Sequence, residues 1–234
     1  MNCNEMFEVI KKEYSIVKIL SNKNECKIFQ LRHKTSNCDI VLRQYCSAIE
    51  AYNFLKNIRH DNLPDVYDTY ILDDGQLVLE EFISGITVAD VLEGGKYTYA
   101  GARKIISSLC DVLSFLHSVN IVHRDIKPEN VMITDKGTVK LIDFNASRVY
   151  KSESKADTVI LGTVGYASPE QYGLVQSDSR ADIYALGILL NVMLTGVHPS
   201  ERLAKGRAGK IVLKCTQIDP NKRYQTAEKL KCNL

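Results

Sequence analysis

Three stretches near the start of the chain alternate apolar and polar residues or concentrate β-branched ones. EYSIVKIL (13–20), CKIFQLRH (26–33) and DIVLRQY (39–45) are separated by the polar runs SNKNE and KTSNC and read as three strands. Residues 48–58 put Ala48, Tyr52, Leu55 and Ile58 on one helical stripe, and Pro64 closes the segment because proline drives the residue before it out of the helical region. LVLEEFI (77–83) follows an Asp-Asp-Gly turn and reads as a further strand. From Thr87 onward the period becomes helical, with Ile105, Ile106, Leu109, Val112, Leu113 and Leu116 on one face. Two short apolar runs, 131–134 and 139–142, are split by Asp135-Lys136-Gly137 and predict a hairpin. A helix beginning near Asp182 stays apolar almost all round to Leu194, the mark of a buried helix; a short one is expected over 208–217, with one more before the end.

Strands thus come first along the chain and helices afterwards. Its 234 residues fit one large domain or two small lobes, and 45% hydrophobic with 25% charged residues is ordinary for a globular protein. The net charge of +2, with Lys and Arg spread along the chain, gives no nucleic-acid surface. The N-terminal residues have no apolar h-region, and the longest apolar run, inside 183–194, is too short for a bilayer, so neither a signal peptide nor a membrane span is expected. The seven cysteines form no C-x-x-C and no metal spacing; reduced thiols and a cytoplasmic location are the expectation.

The candidate chemistry sits in 121–145, IVHRDIKPENVMITDKGTVKLIDFN. The predicted hairpin brings Asn130 and Asp143 together at its open end. Two neighbouring oxygen donors suit Mg²⁺ with bound phosphates, because Mg²⁺ takes few protein ligands and fills its remaining positions with water and phosphate oxygen. Asp125 is then placed to accept a proton from a hydroxyl, and Lys127 to neutralise charge on a transferred group.

His123, Arg124, Asp125, Lys127 and Asn130 match H-R-D-x-K-x-x-N, and Asp143-Phe144 follows at hairpin distance. The segment resembles the protein kinase family. A second motif, Gly162-Thr163-Val164-Gly165-Tyr166-Ala167-Ser168-Pro169-Glu170, resembles the family's G-T-x-x-Y-x-A-P-E with Ser for Ala. The resemblance implies a bilobal α+β fold, with a small antiparallel sheet and one helix in an N-lobe with hinge (1–83) and a mainly helical C-lobe (84–234). It implies a Ser/Thr protein kinase using ATP and Mg²⁺ on a protein substrate. Asp125 and Lys127 would be catalytic and Asn130 and Asp143 would hold the metal. Arg43 and Glu50 would serve the phosphates, and the backbone of Glu81 and Ile83 the adenine. Arg124 would bind a phosphate on the activation segment, where Thr158, then Ser152 or Ser154, are candidate sites; Thr163 with Lys127 favours Ser/Thr specificity. Glu170 would pair with Arg223, and Asp182 would accept hydrogen bonds from the catalytic-loop backbone.

The first part of the chain departs from the family. Ser21, Lys23 and Cys26 stand where three glycines would approach the phosphates. Arg43 replaces the strand-three lysine, keeping the charge in a longer planar fork. Glu50, the only acid inside 48–58, is one residue off the family spacing, so either the helix carries an extra residue or the ion pair is rebuilt. Glu80 falls at the usually apolar position before the hinge, and a half-buried carboxylate needs a partner; pairing with Arg43 would account for both departures. Asn145 replaces the glycine of D-F-G and is the non-glycine residue best suited to φ > 0. These departures favour the alternative of a pseudokinase, a nucleotide-binding or scaffold module. Lys127 and Ser168-Pro169-Glu170 argue against a small-molecule phosphotransferase of the same fold.

Overall fold

The computed structural model describes residues 1–23, 25–150, 163–172 and 177–234. These form two compact units, Met1–Ser84 and Gly85–Leu234.

The first unit opens with helix α1 (Cys3–Glu13), which the strand pattern does not anticipate. Its start is fixed by a reciprocal cap: the Asn2 side chain accepts from the Glu5 N–H while the Glu5 carboxylate accepts from the Asn2 N–H. Cys3, Phe7 and Ile10 recur at helical spacing and are its buried positions. Strands β1 (Tyr14–Asn22), β2 (Cys26–His33) and β3 (Asp39–Tyr45) follow, then helix α2 (Ala51–Leu55) and strands β4 (Val66–Leu72) and β5 (Gly75–Glu81). The sheet is antiparallel in the order β1-β2-β3-β5-β4. Phe29, Leu31, Ile40, Leu42, Leu77 and Leu79 share one core with the apolar stripe of α1.

Helix α2 is shorter than the expected 48–58. The Ile49 N–H is drawn to the buried Gln76 Oε1 at 2.7 Å, which holds the chain outside the helix up to that point. After Leu55 the backbone tightens into three-residue turns, Asn57 N to Phe54 O and Ile58 N to Leu55 O. Strand β4, also unanticipated, forms a hairpin with β5 around the Asp73-Asp74 turn.

The second unit contains β6 (Gly85–Thr87), α3 (Val88–Gly94), α4 (Tyr99–Ser118), β7 (Ile121–Val122), β8 (Val131–Thr134), β9 (Val139–Leu141), β10 (Arg148–Val149), α5 (Ser179–Thr195), α6 (Gly206–Cys215) and α7 (Ala227–Lys231). Thr87 and Thr98 cap α3 and α4. The expected stripe of α4 is buried, from Ile105 to Leu116. Helix α5 is buried on nearly every side, as its composition requires. It lies so close to α6 that a Cβ on Gly187 would meet the Cys215 Cβ at 2.4 Å, so this contact needs a glycine. Helix α6 begins and ends two residues before the expected 208–217.

Candidate active site

The expected hairpin forms, and strand pairing sets Val131 opposite Leu141. The Ile142 N–H donates to the Asn130 carbonyl at 2.9 Å, closing the open end between Asn130 and Asp143. Asp143 itself is in the left-handed region at φ 65°. That corrects the expectation at Asn145, which instead donates its N–H to Asp143 Oδ1 at 3.3 Å. The turn therefore does not need glycine at residue 145. Its backbone strain lies on the acidic residue, in a region that non-glycine side chains seldom adopt.

Arg124 is the second left-handed residue of this region, at φ 69°. Its strain is held from α5. The Asp182 carboxylate accepts from the N–H groups of His123 at 3.0 Å and Arg124 at 2.8 Å, and is bonded to His117 Nε2 at 2.8 Å. Burial alone would raise the Asp182 carboxyl, but these donors hold it below the ordinary carboxylate range. His117, in the last turn of α4, is thus part of the support. Arg124 is buried, and its carbonyl accepts from Gln171 Nε2 at 2.9 Å. Gln171 also accepts from the backbone and hydroxyl of Ser168, at 3.1 and 3.2 Å. It ties the Ser168-Pro169-Glu170 segment to the loop and was not singled out from sequence, although it directly follows that motif.

His123 is fully buried, with its ring edge on Phe144 at 4.9 Å between centroids. Its Nε2 donates to the Ile142 carbonyl at 3.2 Å, and its Nδ1 accepts from the Asp125 N–H at 3.3 Å. Burial pushes its pKa below the usual value, so the ring is neutral at pH 7 and holds the loop against the hairpin.

Asp125 is where these supports converge. Lys127 Nζ lies 2.8 Å from Oδ2, and Asn130 Nδ2 donates to the same oxygen at 2.9 Å and to the Asp125 carbonyl at 2.8 Å. Thr163 donates its hydroxyl and its N–H to Oδ1, at 2.7 and 3.1 Å, and its hydroxyl accepts from Lys127 Nζ at 2.7 Å. Burial would raise the Asp125 carboxyl, but the bonds from Lys127 and Thr163 hold it below its ordinary value. The outcome is an ionised carboxylate with a cation beside it and an alcohol already resting on it. Both N–H groups of the Asn130 amide point at Asp125, which leaves the amide oxygen as the donor suited to a metal. That oxygen and the Asp143 carboxylate are hard donors of the kind Mg²⁺ takes. Among the described residues no group of three or more His, Cys, Asp and Glu could hold a metal ion.

Glu170 and Arg223 pair as expected, in a two-pronged contact of 2.6 and 2.8 Å. The remaining N–H groups of Arg223 go to the carbonyls of Gln217, Arg180 and Ile218, so all five donors are used. Thr158, Ser152, Ser154 and Gly162 lie outside the described residues.

In the first unit, Arg43 Nε donates to Glu80 Oε1 at 2.6 Å, and the two side chains are only 6% and 3% exposed. Glu50, expected inside the helix, stands exposed at the N-cap position of α2 because the helix starts late. The buried carboxylate on Arg43 comes from the adjacent strand. Glu81 closes β5, its N–H bonded to the Asp65 carbonyl at 2.8 Å, and Ile83 follows, buried. The β1–β2 turn closes through Lys23 N to Cys26 O at 3.2 Å.

The protein kinase domain matches residues 11–233. A probable serine/threonine-protein kinase of Clostridium perfringens is 29% identical over 86% of this chain and 32% of its own length. The serine/threonine-protein kinase PknB of Mycolicibacterium smegmatis is 32% identical over 76% of this chain and 33% of its own length. An Aurora kinase of Candida glabrata is 30% identical over 95% of this chain and 65% of its own length. The chain thus spans about a third of the length of these bacterial relatives. The loop around Asp125, the hairpin, the Glu170–Arg223 pair and the match over nearly the whole chain agree: this chain belongs to the protein kinase family.

Proposed function

We propose that this chain transfers the γ-phosphoryl group of ATP to Ser or Thr hydroxyls of a protein substrate. The observation that carries the reading is the setting of Asp125, an ionised carboxylate touched by a threonine hydroxyl and a lysine at once. A substrate hydroxyl taking the place of Thr163 Oγ1 would give its proton to Asp125 Oδ1 as its oxygen attacks the γ-phosphorus, the bond to the β,γ-bridging oxygen breaks and ADP leaves. Lys127 would offset charge on the transferring group. Arg43 would contact the phosphates, and the backbone at Glu81 and Ile83 the adenine. Asn130 and Asp143 would hold Mg²⁺, which when bound neutralises charge on the phosphates. Strain at Asp143 and Arg124 supports the reading, because such backbone is kept where the surroundings over-determine it.

The competing reading, a nucleotide-binding or scaffold pseudokinase, rests on the glycine-free β1–β2 turn and on Arg43. Calorimetry with ATP, with and without Mg²⁺, alongside phosphate incorporation into a Ser/Thr peptide separates the two. Mg²⁺-dependent binding with transfer, both lost in Asp143→Ala, is the expected result. Binding without transfer would favour the pseudokinase.

A further inference from the structure

Strands β3 and β5 are neighbours, with Val41 opposite Glu80 and Arg43 opposite Val78. Residues two apart on a strand share a face, so Arg43 and Glu80 lie on one side of the sheet, together with Tyr45. Tyr45 meets Tyr52 of α2 there, hydroxyl to hydroxyl at 2.9 Å, while α1 covers the opposite side. On this face the guanidinium and the carboxylate are joined at 2.6 Å, both almost wholly out of solvent.

Stability does not explain such a pair. Removing two charges from water costs several kcal/mol each, and apolar residues of the same volume usually serve a core as well or better. The pair does supply a fixed cation. A bond at Nε sets the plane of the guanidinium, so the carboxylate orients the cation. The source of the carboxylate also matters. A glutamate on a helix moves with that helix, whereas Glu80 is set beside Arg43 by backbone pairing inside a five-stranded sheet. Helix α2 is five residues long, with Glu50 exposed at its start.

We propose that Glu80 is the positioning residue for Arg43, and that the sheet, rather than helix α2, holds the cation that receives the polyphosphate of a nucleoside triphosphate. The proposal rests on the kinase reading for its ligand. It makes the affinity for the phosphate tail a property of the β3–β5 pairing.

The test is calorimetric titration of the full chain with Mg²⁺-ATP and, separately, with adenosine. The variants are Glu80→Gln, Arg43→Met, Glu80→Leu and the double Arg43→Met/Glu80→Leu, whose apolar pair protects the fold. Glu80→Gln is expected to weaken ATP binding about tenfold, the scale of one charge-assisted contact, with adenosine affinity unchanged. In the Arg43→Met background, Glu80→Leu is expected to have no further effect on ATP, because Glu80 acts through Arg43. ATP binding that survives intact in the double variant, or equal losses for ATP and adenosine, overturns the proposal and leaves the kinase reading standing. Absence of ATP binding in the wild type overturns both.

Discussion

A carboxylate that is to take a proton from an alcohol must be ionised, within reach and held still. Asp125 meets all three conditions through Lys127, Asn130 and Thr163. Its pKa lies below the ordinary carboxylate range, so the base form is present above that range and is lost only as pH falls through the lowered value. The acid limb of a rate–pH profile should therefore lie below that of an unperturbed Asp; a limb at or above the ordinary carboxylate value would contradict this setting. Asp182 makes a stability prediction at the same scale. Asp182→Ala would leave two buried backbone N–H groups without an acceptor and should cost about 3 kcal/mol or more, read from urea unfolding. Most of these residues were legible in the sequence, because HRDIKPEN and DF lie within one short segment. Gln171 was less so, since nothing local announces that its amide reaches the carbonyl of a residue 47 positions away. Residue preference points to Asn145 for the left-handed turn, whereas the backbone places it on Asp143.

Elements were readable where a period was clean and long. Helices α4 and α5 and strands β1 to β3 follow their patterns. The apolar stripe of 48–58 runs past both ends of helix α2, through residues that Gln76 and short turns remove from the helix. Helix α1 carries a capping box and a Cys3, Phe7, Ile10 stripe, both present in the sequence, but its role emerges only from the sheet face it covers. Phe7→Ala should accordingly destabilise the protein by about 3 kcal/mol, measured as a lower urea midpoint with unchanged slope. At the close contact of α5 with α6, Gly187→Ala should be destabilising by about 1–3 kcal/mol, and Cys215→Gly should recover part of the loss. Arg223→Lys should not replace arginine beneath Glu170, because an ammonium has three donors where the site uses five. Loss of melting temperature in that variant checks it.

At the scale of the whole molecule, an antiparallel sheet unit and a mainly helical unit give the bilobal α+β fold of the protein kinase family. No helix among the described residues is long and apolar enough to cross a membrane. The helical unit carries H-R-D-x-K-x-x-N without a departure, while the sheet unit has no glycine in its β1–β2 turn and buries the Arg43–Glu80 pair. Phosphoryl transfer by this chain would turn on the chemistry of Asp125. Its most direct test is the initial rate of γ-phosphate transfer to a Ser/Thr peptide by the wild type and by Asp125→Asn, at saturating Mg²⁺-ATP, with ATP affinity measured on both. A rate lower by about 10²–10⁴-fold in Asp125→Asn, with ATP affinity unchanged, is the expected result. Equal rates in the two proteins, or a wild type that binds ATP and transfers nothing, would contradict it.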